Sequence, residues 1–435
     1  MSVAAVIEAE LTWTGAGFEP GIRVVVGDDG RITRVGKLKR EPTRVLQGQA
    51  LLPGFVNAHS HAFQRGLRGL GERFPAGAGS FWTWREAMYG LVEQLGPEDF
   101  LAVTTQAFLE MRAAGITTVG EFHYFHHGPA VKDFGYDRLV LKAARAAQLR
   151  LVLLVAYYRT GGVGMTLGPG QRRFETPSPE VYWRNMDALA RHLGPAQTLG
   201  CVVHSVRAAN LEELGSIHAE AMRRALPFHI HVEEQRQEIA ECREAYQRTP
   251  MRVLLDTIGK PERVTAVHCT HTDPEDRAAF LEAGGRVCFC PLTEANLGDG
   301  LPSLDGQVLD RMCLGTDSNA RIDMVEEMRW LEYGQRLRRE GRGALRDGQG
   351  QVARTLLGAA TAAGAASLGV DAGRMAQGLW ADFTVLDLNS LALAGATTDT
   401  LLDALIFGAD SSVITATCVG GRWQTHRHPR SGRTV

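Results

Sequence analysis

Apolar and polar positions along this chain follow two regimes. Short, nearly unbroken apolar runs recur near residues 51–58, 117–123, 150–158, 198–206, 226–233, 263–268, 285–290 and 311–317. An apolar run bounded by polar residues reads as a strand buried on both faces. Longer amphipathic stretches lie between the runs. Pro97 to Arg112 carries apolar residues at helical spacing and stops at Ala113-Ala-Gly115, with glycine as the terminator. Leu211 to Ala225 and Pro274 to Ala283 repeat the scheme, the second closing on Gly284-Gly285. Alternating strand–helix units of this number predict an α/β fold, a (β/α)8 TIM-like barrel with its chemistry at the carboxyl ends of the strands.

The two ends of the chain have a different period. Ile22 to Gly36 contains two alternating runs around Asp28-Asp29-Gly30, a hairpin signal. Ala381 to Leu388 and Ser412 to Arg422 are again strand-like. They predict a small β-sandwich domain built from residues 1–50 and 378–435, flanking a barrel over 51–377. Gly161 to Gly170 reads as a flexible loop. It lacks the lysine and the G-K-[ST] ending of a phosphate cradle.

The chemistry collects where apolar runs end. The first run closes on His59-Ser-His61. Residues i and i+2 of a strand share a face, so two imidazoles project together, the start of a zinc-type site. Leu226 to Glu234 ends in His231 and a carboxylate, Arg263 to His271 passes His268, and Arg311 to Asn319 passes Asp317. Any one of these is unremarkable at a strand end. Four in succession, all metal-compatible or able to carry a proton, point to one catalytic site.

Composition narrows the function class. The chain has 435 residues, 44% hydrophobic and 22% charged, which is ordinary globular usage for a large enzyme. A net charge of -2 gives no reason to expect nucleic acid or an anionic membrane as a partner. Glu8 and Glu10 interrupt the N-terminal apolar residues, unlike a secretory signal. No run approaches the roughly 20 apolar residues of a membrane span. The seven cysteines contain no C-x-x-C pair, against a disulfide framework and against a thiolate zinc site. Cys288 and Cys290 alternate with Phe289, a pattern read as core packing. A cytoplasmic location follows as the expectation.

These residues carry a family resemblance over essentially the whole chain. Pro53-Gly-Phe-Val-Asn-Ala-His59-Ser-His61, His231-Val-Glu-Glu234, His268 and Thr316-Asp317-Ser318 resemble the amidohydrolase superfamily, as does Ala381-Asp-Phe near the C-terminus. More narrowly, His59-Ser-His-Ala-Phe-Gln64-Arg-Gly, Glu121-Phe-His-Tyr124, His204-Ser-Val-Arg207, His231-Val-Glu-Glu-Gln-Arg and Thr293-Glu-Ala-Asn-Leu-Gly-Asp-Gly300 resemble the formiminoglutamate deiminases. That resemblance implies metal-dependent hydrolysis of N-formimino-L-glutamate to N-formyl-L-glutamate and ammonia, in histidine degradation. A homodimer is expected from the resemblance alone.

The residues agree with a single divalent metal, zinc first among the candidates. Binuclear relatives bridge two metals with a carboxylated lysine. The five lysines here (37, 39, 132, 142 and 260) lie at no barrel strand end. His59, His61, His231 and Asp317 would ligate the metal, leaving a position for water. Glu234, His268 and Asp317 would divide the proton transfers, in an order the sequence leaves open. The i to i+3 offset puts Glu234 on the wrong face unless the strand ends near Val232. A substrate with two carboxylates needs cationic forks. Arg207 is the first choice and Arg85 the second, with Arg65 and Arg68 competing. Gln64 and Tyr124 match the family pattern as hydrogen-bonding groups. His204 either bonds the formimino group or is structural. Two alternatives differ in kind: a nucleobase or nucleoside deaminase of the same superfamily, and a catalytically inactive scaffold protein on the same fold.

Overall fold

The computed structural model describes residues 3–70, 72, 74, 79–304 and 309–426. Eight parallel strands form the barrel: β1 (Phe55–Ser60), β2 (Ile116–His123), β3 (Arg150–Tyr157), β4 (Gln197–Ser205), β5 (Phe228–Val232), β6 (Val264–His268), β7 (Arg286–Phe289) and β8 (Met312–Leu314). Each pairs with the next. A parallel bridge between Ser60 and Asp317 closes the ring. Three backbone bonds reinforce it: His61 N donates to Asp317 O at 2.8 Å, and Thr316 N and Asp317 N both donate to His59 O at 3.0 Å.

The unbroken apolar runs have a simple cause. Every residue of β2 and β3 is buried, so both strand faces need apolar side chains. The expected strands match the observed ones closely except at the first. The run at 51–58 is two strands that meet at Gly54. Arg44–Pro53 belongs to the outer sheet, and β1 begins at Phe55. A Cβ on Gly54 would lie 2.1 Å from Thr117 Oγ1, so only glycine lets the chain change sheets there.

Helices α1 (Phe81–Gln94) and α2 (Pro97–Ala113) both lie between β1 and β2. Helix α2 has Pro97 in its first turn with Glu98 and Asp99, and ends just before Gly115 at φ +84°. Helix α3 (Leu211–Arg223) opens on a capping box between Asn210 and Glu213. Helices α4 (Pro274–Glu282), α5 (Pro291–Leu297) and α6 (Met324–Arg339) follow β6, β7 and β8. Helix α7 (Leu401–Gly408), in the C-terminal segment, returns to the barrel. Its Ile406 carbonyl accepts from Arg329 Nε on α6 at 2.6 Å. Among the described residues, no helix is long and apolar enough to cross a membrane.

The strand-rich ends do come together. They form one sheet in the order Arg422–Thr425, Ile414–Val419, Phe383–Asp387, Arg44–Pro53, Val3–Trp13, Arg23–Gly27, Ile32–Gly36. The last two are the expected hairpin. Side-chain alternation on Arg44–Pro53 divides the strand between two cores. Ala50 and Leu52 pack into the barrel-side core. Leu51 packs with Ile7, Val24, Val26, Phe383 and Val385 in the sheet's own core.

One buried ion pair ties the two bodies. Arg150 at the start of β3 donates to Asp382 through Nε at 2.7 Å and Nη2 at 3.0 Å. Asp382 also accepts from Gly420 N at 2.7 Å. Its side chain is only 2% exposed. Removing one partner of a buried pair strands the other charge. Asp382→Ala should therefore lower unfolding free energy by about 3–5 kcal/mol in urea denaturation. A loss of only a few tenths would show that this pair does not hold the sheet to the barrel.

Candidate active site

The carboxyl end of the barrel gathers the four singled-out residues within bonding distance of one another. His59 and His61 leave β1 on the same side. Each Nε2 lies 3.3 Å from Asp317 Oδ1. His231, from β5, brings its Nε2 to 3.2 Å from that of His59. One donor atom from each of these residues lies within 4.8 Å of all the others. His61 Nδ1 donates to Phe122 O at 2.7 Å, which leaves Nε2 unprotonated and facing inward. The His231 ring is stacked between Phe122 and His268, with centroids at 4.2 and 5.3 Å.

Burial keeps these imidazoles neutral, lowering His59 to about 3 and His61 to about 4. Burial works to raise Asp317. The His59 hydrogen bond and the His268 charge outweigh it and hold the carboxyl below the usual range. A divalent cation fits this set. A proton satisfies one of the short contacts, whereas a cation at the centre satisfies all four donors. The spacings of 3.2 and 3.3 Å are short enough for one ion to be held by these donors together.

Backbone conformation aims the neighbouring groups. β5 ends at Val232, and Glu233 adopts φ +56°. That left-handed residue turns Glu234 into the cavity, as the i to i+3 offset required. His268, Cys269, Asp317 and Asn319 are left-handed too, at φ +75°, +51°, +42° and +54°. His268 Nε2 lies 3.8 Å from Asp317 Oδ2 and 4.0 Å from Glu234 Oε1, and Nδ1 lies 3.6 Å from Glu294 Oε1. Burial lowers the His268 pKa. The carboxylates of Glu234, Glu294 and Asp317 outweigh it and raise the group to about 10. Burial raises Glu234 above the usual carboxylate range, with His268 opposing.

The cavity opens to solvent, with about 600 Å³ of space between its walls. Gln64, Arg85, Tyr124, His204, Arg207, His231, Glu234, His268 and Asp317 all face it. Gln64 Nε2 donates to Tyr124 Oη at 2.7 Å. Burial, with Arg207 nearby, keeps His204 neutral. The four competing arginines separate cleanly. Arg65 is spent on the carbonyls of Asn319 and Ala320 and on Glu110, and Arg68 pairs with Glu110 at the surface. Arg85 stacks over Trp82 at 4.2 Å and faces the cavity, as does Arg207, 3.7 Å from Glu238. His271 does not line the cavity. Cys288 and Cys290 pack with Ala58, Val267, Cys313 and Ala363 beneath it, as core residues.

The sequence pattern that defines the Amidohydrolase family matches residues 50–424. The chain belongs to this family. It is 39% identical to the formimidoylglutamate deiminase of Pseudomonas aeruginosa, across 96% of this chain and 94% of that one. The crystal structure of an amidohydrolase from Brucella melitensis superposes with a TM-score of 0.87 at 32% identity, covering 98% and 96% of the two chains. An adenosine deaminase from Xanthomonas campestris with bound zinc shares the fold, with a TM-score of 0.79 at 24% identity over 97% and 92%.

Several residues of this amidohydrolase site escape sequence reading. Tyr89 on α1 and Tyr158 just after β3 wall the cavity with Phe174. Tyr158 closes the apolar run at 150–158, the only sequence signal it gives. Behind the ligands, Asn57 bonds Thr316 through both amide atoms, at 2.6 and 3.0 Å. Thr316 in turn donates to Asn319 Oδ1 at 2.6 Å. Gly315 also matters, since a Cβ there would sit 2.7 Å from both Cβ and the carbonyl oxygen of His59.

A second group, His123, His126 and Asp137, has the donor types of a metal site. Its donors are already committed. Asp137 Oδ1 accepts from His126 Nδ1 at 2.9 Å and His123 Nε2 at 3.1 Å, and Oδ2 accepts from Asn185 at 2.8 Å. His126 Nε2 donates to Ala156 O at 2.8 Å. Three of the four ring nitrogens and both carboxylate oxygens are bonded within the protein, so this cluster is a buried hydrogen-bonded network. One metal equivalent per chain is expected by elemental analysis. His231→Ala should lose it, whereas Asp137→Asn should lower Tm and keep it. Equal metal in wild type and His231→Ala would overturn the assignment of the ligands.

Proposed function

We propose that this amidohydrolase hydrolyses N-formimino-L-glutamate to N-formyl-L-glutamate and ammonia, as a cytoplasmic, metal-dependent step of histidine degradation. The observation that carries this reading is the pair of guanidiniums, Arg85 and Arg207, opening into the same cavity as the four-donor group. A substrate with two carboxylates is the small molecule that such a cavity suits. The 39% identity to a formimidoylglutamate deiminase supports the same assignment. A homodimer belongs to the proposal through the family resemblance.

His59, His61, His231 and Asp317 would hold one divalent ion, zinc by preference. A cation there lowers the pKa of water to about 7, so hydroxide is available near neutral pH. Arg207 and Arg85 bind the substrate carboxylates and fix the formimino carbon over the site. Gln64 and Tyr124, already bonded to each other, and neutral His204 orient the formimino nitrogens. Water oxygen then bonds to the formimino carbon while its proton passes to Asp317 Oδ2, or to His268 Nε2 once that ring has given up the proton its neighbouring carboxylates favour. Glu234, raised by burial, delivers a proton to the terminal nitrogen. The proton first taken from water and the one the hydroxyl releases as the formyl carbonyl forms both reach the terminal nitrogen, so the carbon–nitrogen bond breaks and ammonia leaves. Ammonia is a poor leaving group until protonated, so Glu234 is the group on which turnover depends.

Ammonia release by the metal-loaded protein tests the assignment. N-formimino-L-glutamate should be the preferred substrate in a panel with adenosine, guanine and cytosine. Preference for a base or nucleoside would move the protein to the alternative deaminase reading, and inertness with a full metal site would favour the scaffold.

Two substitutions separate the roles. Glu234→Gln should retain metal and lose at least about 100-fold in kcat. Near-normal kcat would reduce Glu234 to a loop carboxylate. Arg207→Met should lower kcat/KM for N-formimino-L-glutamate by about 2–5 kcal/mol, the usual cost of truncating a buried charge pair. A formimino compound lacking the matching carboxylate should be turned over equally by both proteins. An equal loss on both compounds would make Arg207 a support of the barrel instead.

A further inference from the structure

Gln235 and Asp299 take no part in the chemistry above, yet a hydrogen bond between them spans the mouth of the barrel. Gln235 Nε2 donates to Asp299 Oδ1 at 2.5 Å. Gln235 directly follows Glu234 in the turn after β5 and is the N-cap of the helix Arg236–Tyr246. Asp299 lies in the turn after α5, two strands further round the barrel. Gly298 and Gly300 flank it at φ +72° and +119°, values that glycine adopts readily, and its backbone N donates to Glu294 O at 2.9 Å. The carboxyl is buried, and its second oxygen has no partner among the described residues. A buried oxygen left unbonded is destabilising, so the stability of this turn does not account for the acid.

Glu234 needs such support. His268 Nε2, which faces its carboxyl, is 4.0 Å away, beyond hydrogen-bond reach, so the backbone decides where the Glu234 side chain points. That backbone is a short turn fixed twice on its near side. Glu233 Oε1 accepts from Met251 N at 2.9 Å, and Glu233 O accepts from His271 N at 3.1 Å. On its far side, the bond that ties the turn to another strand end is the one from Gln235 to Asp299.

We propose that Gln235 and Asp299 are positioning residues for Glu234, a latch that fixes the turn so that the carboxyl meets the departing nitrogen. Neither residue lines the cavity. Both act through Glu234, in the proton-delivering role given to it under Proposed function, on which this proposal rests.

Asp299→Ala removes the acceptor and tests the latch. On the substrate that the wild type prefers, kcat should fall roughly 10- to 100-fold, the cost of misplacing a reacting group by about 1 Å. KM and metal content should be unchanged. Gln235→Ala should reproduce this, and the double variant should be no worse than either single one, because one bond is lost in all three. Asp299→Asn keeps an oxygen for Gln235 Nε2 and should recover most of the activity. In a Glu234→Gln background Asp299→Ala should cost nothing further, since the group being placed is already disabled.

Unchanged kcat in Asp299→Ala beside an impaired Glu234→Gln overturns the latch alone. So does an equal further loss in the Glu234→Gln background, which would mark Asp299 as a support of the barrel mouth. A loss in Asp299→Asn as large as in Asp299→Ala also overturns it, by putting the effect on the charge. Near-normal kcat in Glu234→Gln sinks the reading of Glu234 and the latch with it. If Asp299→Ala fails to fold, Gln235→Ala decides. A kcat loss that vanishes in the Glu234→Gln background supports the latch, and any other result overturns it.

Discussion

The seam between β8 and β1 is the constraint on which everything else rests. Three backbone bonds join His59 and His61 to Thr316 and Asp317 and close the barrel. Three of these residues, His59, His61 and Asp317, belong to the four-donor group. Barrel closure and site assembly are thus one event, and neither can be adjusted without the other. The packing around the seam allows no slack. Gly315 passes so close to His59 that a single methyl group would push them apart. Asn57, Thr316 and Asn319 satisfy the polar groups behind the donors, so the seam is held by hydrogen bonds where apolar packing would leave polar atoms stranded.

The strand ends carry strain that an ordinary loop would shed. Glu233, His268, Cys269, Asp317 and Asn319 all have left-handed backbone, at about 1–3 kcal/mol each for non-glycine residues. All stand where the chain turns at a strand end, and His268 and Asp317 among them face the cavity. The surrounding core, with every residue of β2 and β3 buried, is large enough to hold them there. Charge is balanced with similar economy. His268 meets Glu234, Glu294 and Asp317, and Arg207 meets Glu238, so opposite charges adjoin in a region with little water.

Much of this was legible in the sequence because it follows from short-range rules. Strands covered on both faces leave continuous apolar runs, and helices between them keep the 3.6 period. Donors at strand ends then follow from the alternation of His59 and His61. The turn at Glu233 was also deducible, because Glu234 could not otherwise face His231. What stayed hidden depends on approach between distant segments. Nothing local separates Arg65 and Arg68 from Arg85. The difference is Glu110, far away on α2, which claims the first two. Tyr89 and Glu294 were invisible for the same reason, being ordinary helix residues until α1 and α5 are docked. The split at Gly54 was missed because an apolar run does not reveal that its two halves belong to different sheets.

The strand Arg44–Pro53 has a consequence for how the molecule is made. Its Leu51 pairs with Val385. At about 5–20 residues per second, roughly 17–67 s separate the synthesis of these two positions. Throughout that interval the nascent chain carries a sheet lacking its C-terminal half, with one edge of this strand open to strangers. An open edge is a template for aggregation. The strand's partner, Phe383–Asp387, leaves the ribosome only after all eight barrel strands. The burden on chaperones during translation should therefore fall on this edge, and on the edge of β1 until β8 is made to close the barrel.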